Sequence, residues 1–304
     1  MKDDLLRIND HIELIELKPN GIEGFLSTYV LRGDKIAIID PGPTASIDYL
    51  LDEFHKIGVK LEDVAYVAAT HIHIDHAGGA GKLLRGLPNA KLLVHERGAP
   101  HMINPSRLWE GAKQALGELA EIYGEVEPVP SDRIIVSTEG MTVDLGGSVK
   151  FKVFETPGHA SHAQSFFEEK TEGIFAGDAA GLYVMQYDAT LPTTPPPFFF
   201  EHALKSLDRL IILRPRAVYY AHFGFTYQGE ERLRGYKRQL SLWARVIAEA
   251  AKGGLSVDEI YKRIKEKDEM VRTAEDVLER LPIYKDNLIL SILGYLDNLK
   301  RTGG

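Results

Sequence analysis

Between Thr70 and Gly79 the chain reads Thr-His-Ile-His-Ile-Asp-His-Ala-Gly-Gly, which sets three imidazoles and one carboxylate within six residues. No other stretch narrows the possible folds as much. Imidazole and carboxylate suit a borderline divalent metal such as zinc, with geometry deciding among competing ions. The preceding run Val64-Ala65-Tyr66-Val67-Ala68-Ala69 is short, apolar and β-prone, and reads as a buried strand. His71, His73, Asp75 and His76 therefore lie on the loop that leaves that strand's C-terminal end. Gly78, Gly79 and Gly81 allow a tight turn into a helix beginning near Lys82.

Three later segments carry single donors of the same types. Thr156-Pro157-Gly158-His159 follows a strand-like run from Lys150 to Phe154. Gly173-Ile174-Phe175-Ala176-Gly177-Asp178 is an apolar run ending in Gly-Asp. Ala217 to Ala221 is another strand, ending in His222-Phe223-Gly224. These four elements, in this order over about residues 8 to 225, resemble the metallo-β-lactamase superfamily. Its metal motif is His-x-His-x-Asp-His, followed by a later His, a bridging Asp and a final His.

The resemblance implies an α+β fold, the four-layer αββα sandwich, with all ligands at one edge where two sheets meet. It implies two divalent ions per chain. His71, His73 and His159 would hold one, Asp75, His76 and His222 the other, and Asp178 would bridge them. Zinc is the favoured ion, while iron and manganese also accept such ligands. A Glu in place of His73 would have pointed to the di-iron flavoprotein branch. Asp75 is expected to act in catalysis as well, by holding a proton. Tyr183, five residues after Asp178, is expected to donate a hydrogen bond to the substrate oxyanion, as tyrosines near this position do in some lactonases of the family. Asp40, in the turn Asp40-Pro41-Gly42, is expected near the metals in a structural role. His162, three after His159, is either a loop residue or a group behind the ligands or facing the substrate.

Residues outside the motifs set the frame. Periodicity gives strands at 12–17, 25–31 and 35–39, with Arg32-Gly33-Asp34 as a hairpin turn, and helices near 46–56, 82–86 and 106–123. Pro195-Pro196-Pro197 cannot extend a helix or donate to a ladder, so 190–197 is expected to be an extended strap. Phe198-Phe199-Phe200 either lines an acyl pocket or fills core beneath a loop. After Gly224 strand signals stop. Residues 1–229 therefore read as the catalytic domain and 230–304 as a helical appendage, with helices near 230–252, 258–266, 274–279 and 285–299. Leu288, Ile292, Leu296 and Leu299 give the last helix an apolar face that needs cover, from the catalytic domain or from a second subunit in a homo-oligomer.

Composition excludes several classes. The chain has no cysteine, so neither disulfides nor thiolate ligands are available. Its N-terminus lacks a signal-like apolar core and no apolar run spans a bilayer, so a cytoplasmic, non-membrane protein is expected. Six Asn and five Gln are few for 304 residues, which leans toward a thermophilic source. The appendage carries fifteen Lys plus Arg against thirteen Asp plus Glu, leaving 21 against 31 in residues 1–229. An acidic catalytic region disfavours a nucleic-acid partner and leaves a small-molecule substrate.

The expected reaction is metal-dependent hydrolysis of a small ester, thioester or lactone by a hydroxide held between two ions. The arginine- and lysine-bearing glutathione site of a glyoxalase II is not evident. Three alternatives stay open on the sequence: a mononuclear-iron persulfide dioxygenase, a phosphodiesterase or ribonuclease, and a non-catalytic metal-stabilised interaction module.

Overall fold

The computed structural model describes residues 5 to 303. The chain lays down β1 (Leu5–Arg7), β2 (Ile12–Leu17), β3 (Leu26–Arg32), β4 (Ile36–Ile39), α1 (Ile47–Lys56), β5 (Val64–Ala68), α2 (Ile74–Ala77), α3 (Ala80–Gly86) and β6 (Lys91–His95). Then come α4 (Ala99–Ile103), α5 (Ser106–Leu116), α6 (Glu118–Tyr123) and β7 (Ile134–Ser137). These seven strands form one sheet in chain order. Its first four strands are antiparallel, as hairpin-length connections allow. From β4 to β7 pairing is parallel, and helices supply the crossovers.

The second sheet is built from β8 (Thr142–Asp144), β9 (Lys150–Glu155), β10 (Gln164–Glu168), β11 (Gly173–Phe175), β14 (Ala217–Tyr220) and β15 (Gly224–Thr226), ordered 15-14-11-10-9-8. Between β11 and β14 lie a small hairpin, β12 (Leu182–Val184) and β13 (Ala189–Leu191), and helix α7 (Phe200–Ile212). The expected strap is thus strand at its start, leaves the ladder after Leu191 and bends at Pro196 and Pro197.

Strand alternation divides the core in two. Leu14, Tyr29, Ile39, Ala68, Phe151, Phe166 and Phe175 point between the sheets. Their neighbours Ile15, Val30, Ile38, Val67 and Ile174 point outward and are covered by helices. This gives the αββα layering. Tyr29 crosses between the sheets, its hydroxyl 2.7 Å from both the Tyr220 and Gly224 carbonyls. Ser27 N–H donates to Ala221 O at 2.8 Å, so the first sheet is tied to the strand that delivers His222.

The remaining helices are α8 (Gly229–Lys252), α9 (Val257–Lys267), α10 (Glu269–Thr273), α11 (Glu275–Arg280) and α12 (Pro282–Thr302). Ser256 and Glu259 close a capping box at the start of α9. The apolar face of α12 is covered within the chain: Leu288 and Ile292 are fully buried, and Leu296 and Leu299 pack at the margin of the same core. That core runs without a break from α1 and β5 into α8, α9 and α12. Among the described residues no helix is long and apolar enough to cross a membrane.

Candidate metal centre

Each donor sits where a strand ends. β5 delivers Thr70 to His76, the loop between β9 and β10 delivers His159, β11 runs into Asp178, and β14 runs into His222. All seven predicted ligands come together at the sheet seam, in overlapping groups whose ligating atoms lie within 4.8 Å of one another.

The first triad is His71, His73 and His159. His73 Nδ1 lies 3.0 Å from His71 Nε2 and 2.9 Å from His159 Nε2. One proton can bridge only two of these nitrogens, so hydrogen bonding alone does not satisfy the cluster. A tetrahedral zinc with nitrogen ligands at ~2.0–2.1 Å sets neighbouring nitrogens roughly 3.3 Å apart, close to this arrangement. The second group is Asp75, His76 and His222, with Asp75 Oδ2 3.8 Å from His76 Nε2 and 3.7 Å from His222 Nε2. Asp178 faces both. Its Oδ2 lies 3.3 Å from His159 Nε2, while its Oδ1 lies 3.3 Å from His76 Nε2 and 3.5 Å from His222 Nε2. His76 Nε2 and Asp178 Oδ1 are buried without a hydrogen-bond partner. Such orphaned atoms are costly unless something else pairs with them, and a divalent ion fits both.

A surrounding layer fixes the rings. Asp40 adopts the left-handed region at φ 50°. There its carboxylate accepts Thr70 N–H and Thr70 Oγ1–H, each at 2.7 Å, and lies 3.2 Å from His76 Nδ1. Thr70 Oγ1 also lies 3.2 Å from His71 Nδ1. His159 Nδ1–H donates to Thr193 O at 2.8 Å. In these three histidines the outer nitrogen is engaged and Nε2 is turned toward the centre, the arrangement that orients metal-ligating imidazoles. Gly177 precedes Asp178 at φ 51°, and a Cβ there would meet Thr70 Oγ1 at 2.5 Å, so the two halves of the site approach as closely as glycine permits.

Burial and neighbouring imidazoles hold His71 and His73 well below the ordinary value of 6.5. Burial lowers His159 too, against the pull of Asp178. Burial also acts downward on His76, but the Asp178 and Asp75 carboxylates override it and hold that ring well above 6.5. Burial would raise Asp178, yet His76, His159 and His222 keep it well below the usual carboxylate range. His162 stacks on His71 at 6.2 Å and meets the edge of His73 at 5.6 Å. Its Nδ1 accepts Ile72 N–H at 3.4 Å, and burial followed by His159 brings it down to about 4.

These shifts fix the sign of one expected result. His71, His73, His159 and His162 bind fewer protons folded than unfolded, so their contribution is lost as pH falls through about 6.5. His76 acts oppositely, stabilising at low pH and losing that contribution as pH rises through its raised value. Four against one leaves a net loss on acidification. The melting temperature of chelator-treated protein should therefore fall from about pH 7.5 to about pH 5 in calorimetry; a flat or rising trend contradicts the assignment.

Tyr183 departs from expectation. Its hydroxyl donates to Asp188 Oδ1 at 2.5 Å, and its ring stacks on Tyr220 at 4.8 Å beneath the Arg232 guanidinium. Burial and Asp188 push it up to about 12. The phenol is committed to this cluster, because the β12–β13 hairpin turns the side chain toward its own turn. Tyr123 was not singled out from the sequence. It is buried at the end of α6, which packs against the helix carrying Asp75, and its ionisation is opposed by burial and then by Asp75 and Asp178. Its only sequence signal is an aromatic ahead of Gly124, where the helix stops. Phe198 goes into the core against Tyr295, at 4.9 Å, so the aromatic run serves mainly as core beneath the strap.

Comparison with known proteins agrees with this geometry. The sequence profile of the metallo-beta-lactamase superfamily matches residues 22–222. The metallo-beta-lactamase fold-containing protein ST1585 of Sulfurisphaera tokodaii is 33% identical over 204 residues, covering 65% of this chain and 72% of that protein. Its crystal structure superposes with a TM-score of 0.65 at 30% identity, over 75% of this chain and 85% of that one. TTHA1429 of Thermus thermophilus, a metallo-beta-lactamase family protein, shares the fold over 91% of this chain and 89% of its own, with a TM-score of 0.66 at 22% identity. A probable hydroxyacylglutathione hydrolase of Schizosaccharomyces pombe is 26% identical, covering 59% of this chain and 54% of that protein. With the fold, the profile and the donor cluster in agreement, the chain belongs to the metallo-β-lactamase superfamily and is a metallo-hydrolase.

Proposed function

We propose that the chain hydrolyses a small ester, thioester or lactone at a site holding two divalent ions, zinc by preference. The observation that carries this reading is the division of Asp178: one carboxylate oxygen faces His159 and the other faces His76 and His222. A carboxylate split in this way suits two ions rather than one. When bound, such a pair lowers the pKa of a shared water from 15.7 toward neutrality and stabilises developing negative charge.

The chain's own groups do the rest. Asp75 is 18% exposed at its side chain, so it is reachable from solvent while one oxygen faces His76 and His222. Its remaining lone pairs can take a proton from water and orient the attacking oxygen. Asp40, Thr70 and the Thr193 carbonyl keep three imidazoles in the tautomer that offers Nε2 inward. Tyr123, whose ionisation the Asp75 and Asp178 charges oppose, replaces Tyr183, whose hydroxyl is bonded to Asp188, as the oxyanion donor of this reading. The likeness to a hydroxyacylglutathione hydrolase supports acyl transfer to water, although no basic glutathione site is evident in this sequence.

The test is a panel of aryl esters, thioesters and lactones, run beside a phosphodiester and a persulfide. Activity on at least one acyl substrate should vanish with chelator, return with zinc or manganese, and rise with pH through one ionisation to a plateau. Faster turnover of the phosphodiester or the persulfide replaces this reading. Full metal loading with no turnover anywhere points to a non-catalytic role.

A further inference from the structure

We infer that helix α12 is a working part of the metal centre, with Asn287, Ser291 and Gly294 acting as positioning residues for His159 through the strap that precedes α7. This rests on the metal-site reading but not on the identity of the substrate.

The connection can be followed atom by atom. His159 Nδ1–H donates to the Thr193 carbonyl at 2.8 Å. Thr193 has no regular ladder to hold it, since β13 ends at Leu191. α12 holds it instead. Thr193 Oγ1–H donates to Asn287 Oδ1 at 3.0 Å, and Asn287 Nδ2–H donates to Pro192 O at 2.8 Å. Ser291 Oγ–H donates to Pro192 O at 3.1 Å and accepts Thr194 N–H at 2.9 Å. The residues on both sides of Thr193 are thus fixed by one pair of side chains, one helical turn apart. Gly294 then lets the strap lie directly on the helix: a Cβ there would meet Thr194 O at 1.8 Å. Ser291 is fully buried, so no water competes for these bonds.

A partner that orients a ligating histidine ordinarily changes metal affinity about 10–100-fold when it is lost. Coupling of this kind runs both ways: whatever fixes the strap favours metal, and metal at His159 fixes the strap and α12. The helical region would then be coupled to the reaction without touching substrate.

The experiment uses full-length, metal-free protein titrated with zinc against a chromophoric chelator. Asn287→Ala and Gly294→Ala should weaken one of the two zinc sites about 10–100-fold and the other much less. Asn287→Asp keeps the acceptor for Thr193 and loses the donor to Pro192, so it should fall between wild type and Asn287→Ala. Ile260→Ala, a buried change on α9, which packs on α12 but carries none of the hydrogen bonds to the strap described above, should lower the melting temperature and leave both zinc affinities unchanged. Zinc should slow amide exchange in residues 190–199 and in α12. In metal-free protein the protected Nδ1–H resonance of His159 should be visible in wild type and lost in Gly294→Ala, whatever reaction the enzyme performs. Wild-type affinities in a folded Gly294→Ala variant overturn the inference. So does an equal loss in Ile260→Ala, which would mean that the helices merely hold the fold. A wild type that binds no zinc overturns this inference together with the metal reading.

Discussion

Asp178→Ala should strip metal from both positions at once, whereas His73→Ala should empty mainly one. Among the described residues, Asp178 is the side chain whose two oxygens face both groups, at 3.3 Å from His159 Nε2 and 3.3 Å from His76 Nε2. Its carboxylate, together with that of Asp75, also holds His76 well above the ordinary 6.5. Removing it leaves no donor that faces both groups. Elemental analysis should read two metals per chain in wild type, about one in His73→Ala and less than one in Asp178→Ala. Hydrolysis should fall by at least on the order of 10³ in kcat, since stabilisation of developing charge is lost along with the nucleophile. Both variants should also melt earlier than metal-loaded wild type, because metal binding contributes to folding free energy. Equal metal content in wild type and Asp178→Ala would remove the bridge from the assignment.

Asp75→Asn is expected to separate binding from chemistry. The amide keeps the shape of the carboxylate and a neutral oxygen donor, yet it can neither take a proton nor balance charge. A general base contributes about 10²–10⁴-fold. The variant should lose activity in that range while keeping the metal held by His71, His73 and His159. The loss should fall on kcat more than on KM, because Asp75 acts on the attacking water rather than on the substrate. A substrate that wild type and Asp75→Asn hydrolyse equally is being turned over elsewhere.

The fold class and the candidate donors are both legible in the sequence, for a physical reason. Metal donors are few in kind, so the cluster His71 to His76 stands out from residue types and spacing, while His159, Asp178 and His222 are picked out by the order of strand ends in the family pattern. The strands expected at 12–17 and 35–39 are equally plain, because their apolar content has no helical alternative at that length. Helix breaks were harder. The expected helix from 106 to 123 is two helices, interrupted at Gly117 with φ 57°. The segment before Ala274 was missed as a helix. There Asp268 caps α10 through Met270 N–H at 2.9 Å while its other oxygen accepts Trp243 Nε1–H at 2.7 Å and Gln239 Nε2–H at 2.8 Å. A buried carboxylate with tertiary partners cannot be told in advance from a surface aspartate. The bond from Tyr183 to Asp188 is hidden for a related reason, since sequence separation from Asp178 does not say which way a hairpin turns its side chains. The Thr193 carbonyl carries no sequence signal at all, because every residue has one.

The seam placement of the donors has a topological consequence. Four of them belong to the first sheet's β5 loop and three to the second sheet, so any ion held there ties together two halves that meet mainly through apolar packing. His71 and His222 lie 151 positions apart, and Ser27, Tyr29 and Gln164 supply polar links across the same boundary. Cross-linking a loop of ~100 residues restricts the unfolded chain by about 4–5 kcal/mol in the chain-entropy picture. A protein without a single cysteine has no covalent way to obtain such a constraint. Opening of the sandwich then requires metal release, and the lifetime of the folded chain under protease or heat becomes tied to the rate at which the ions leave.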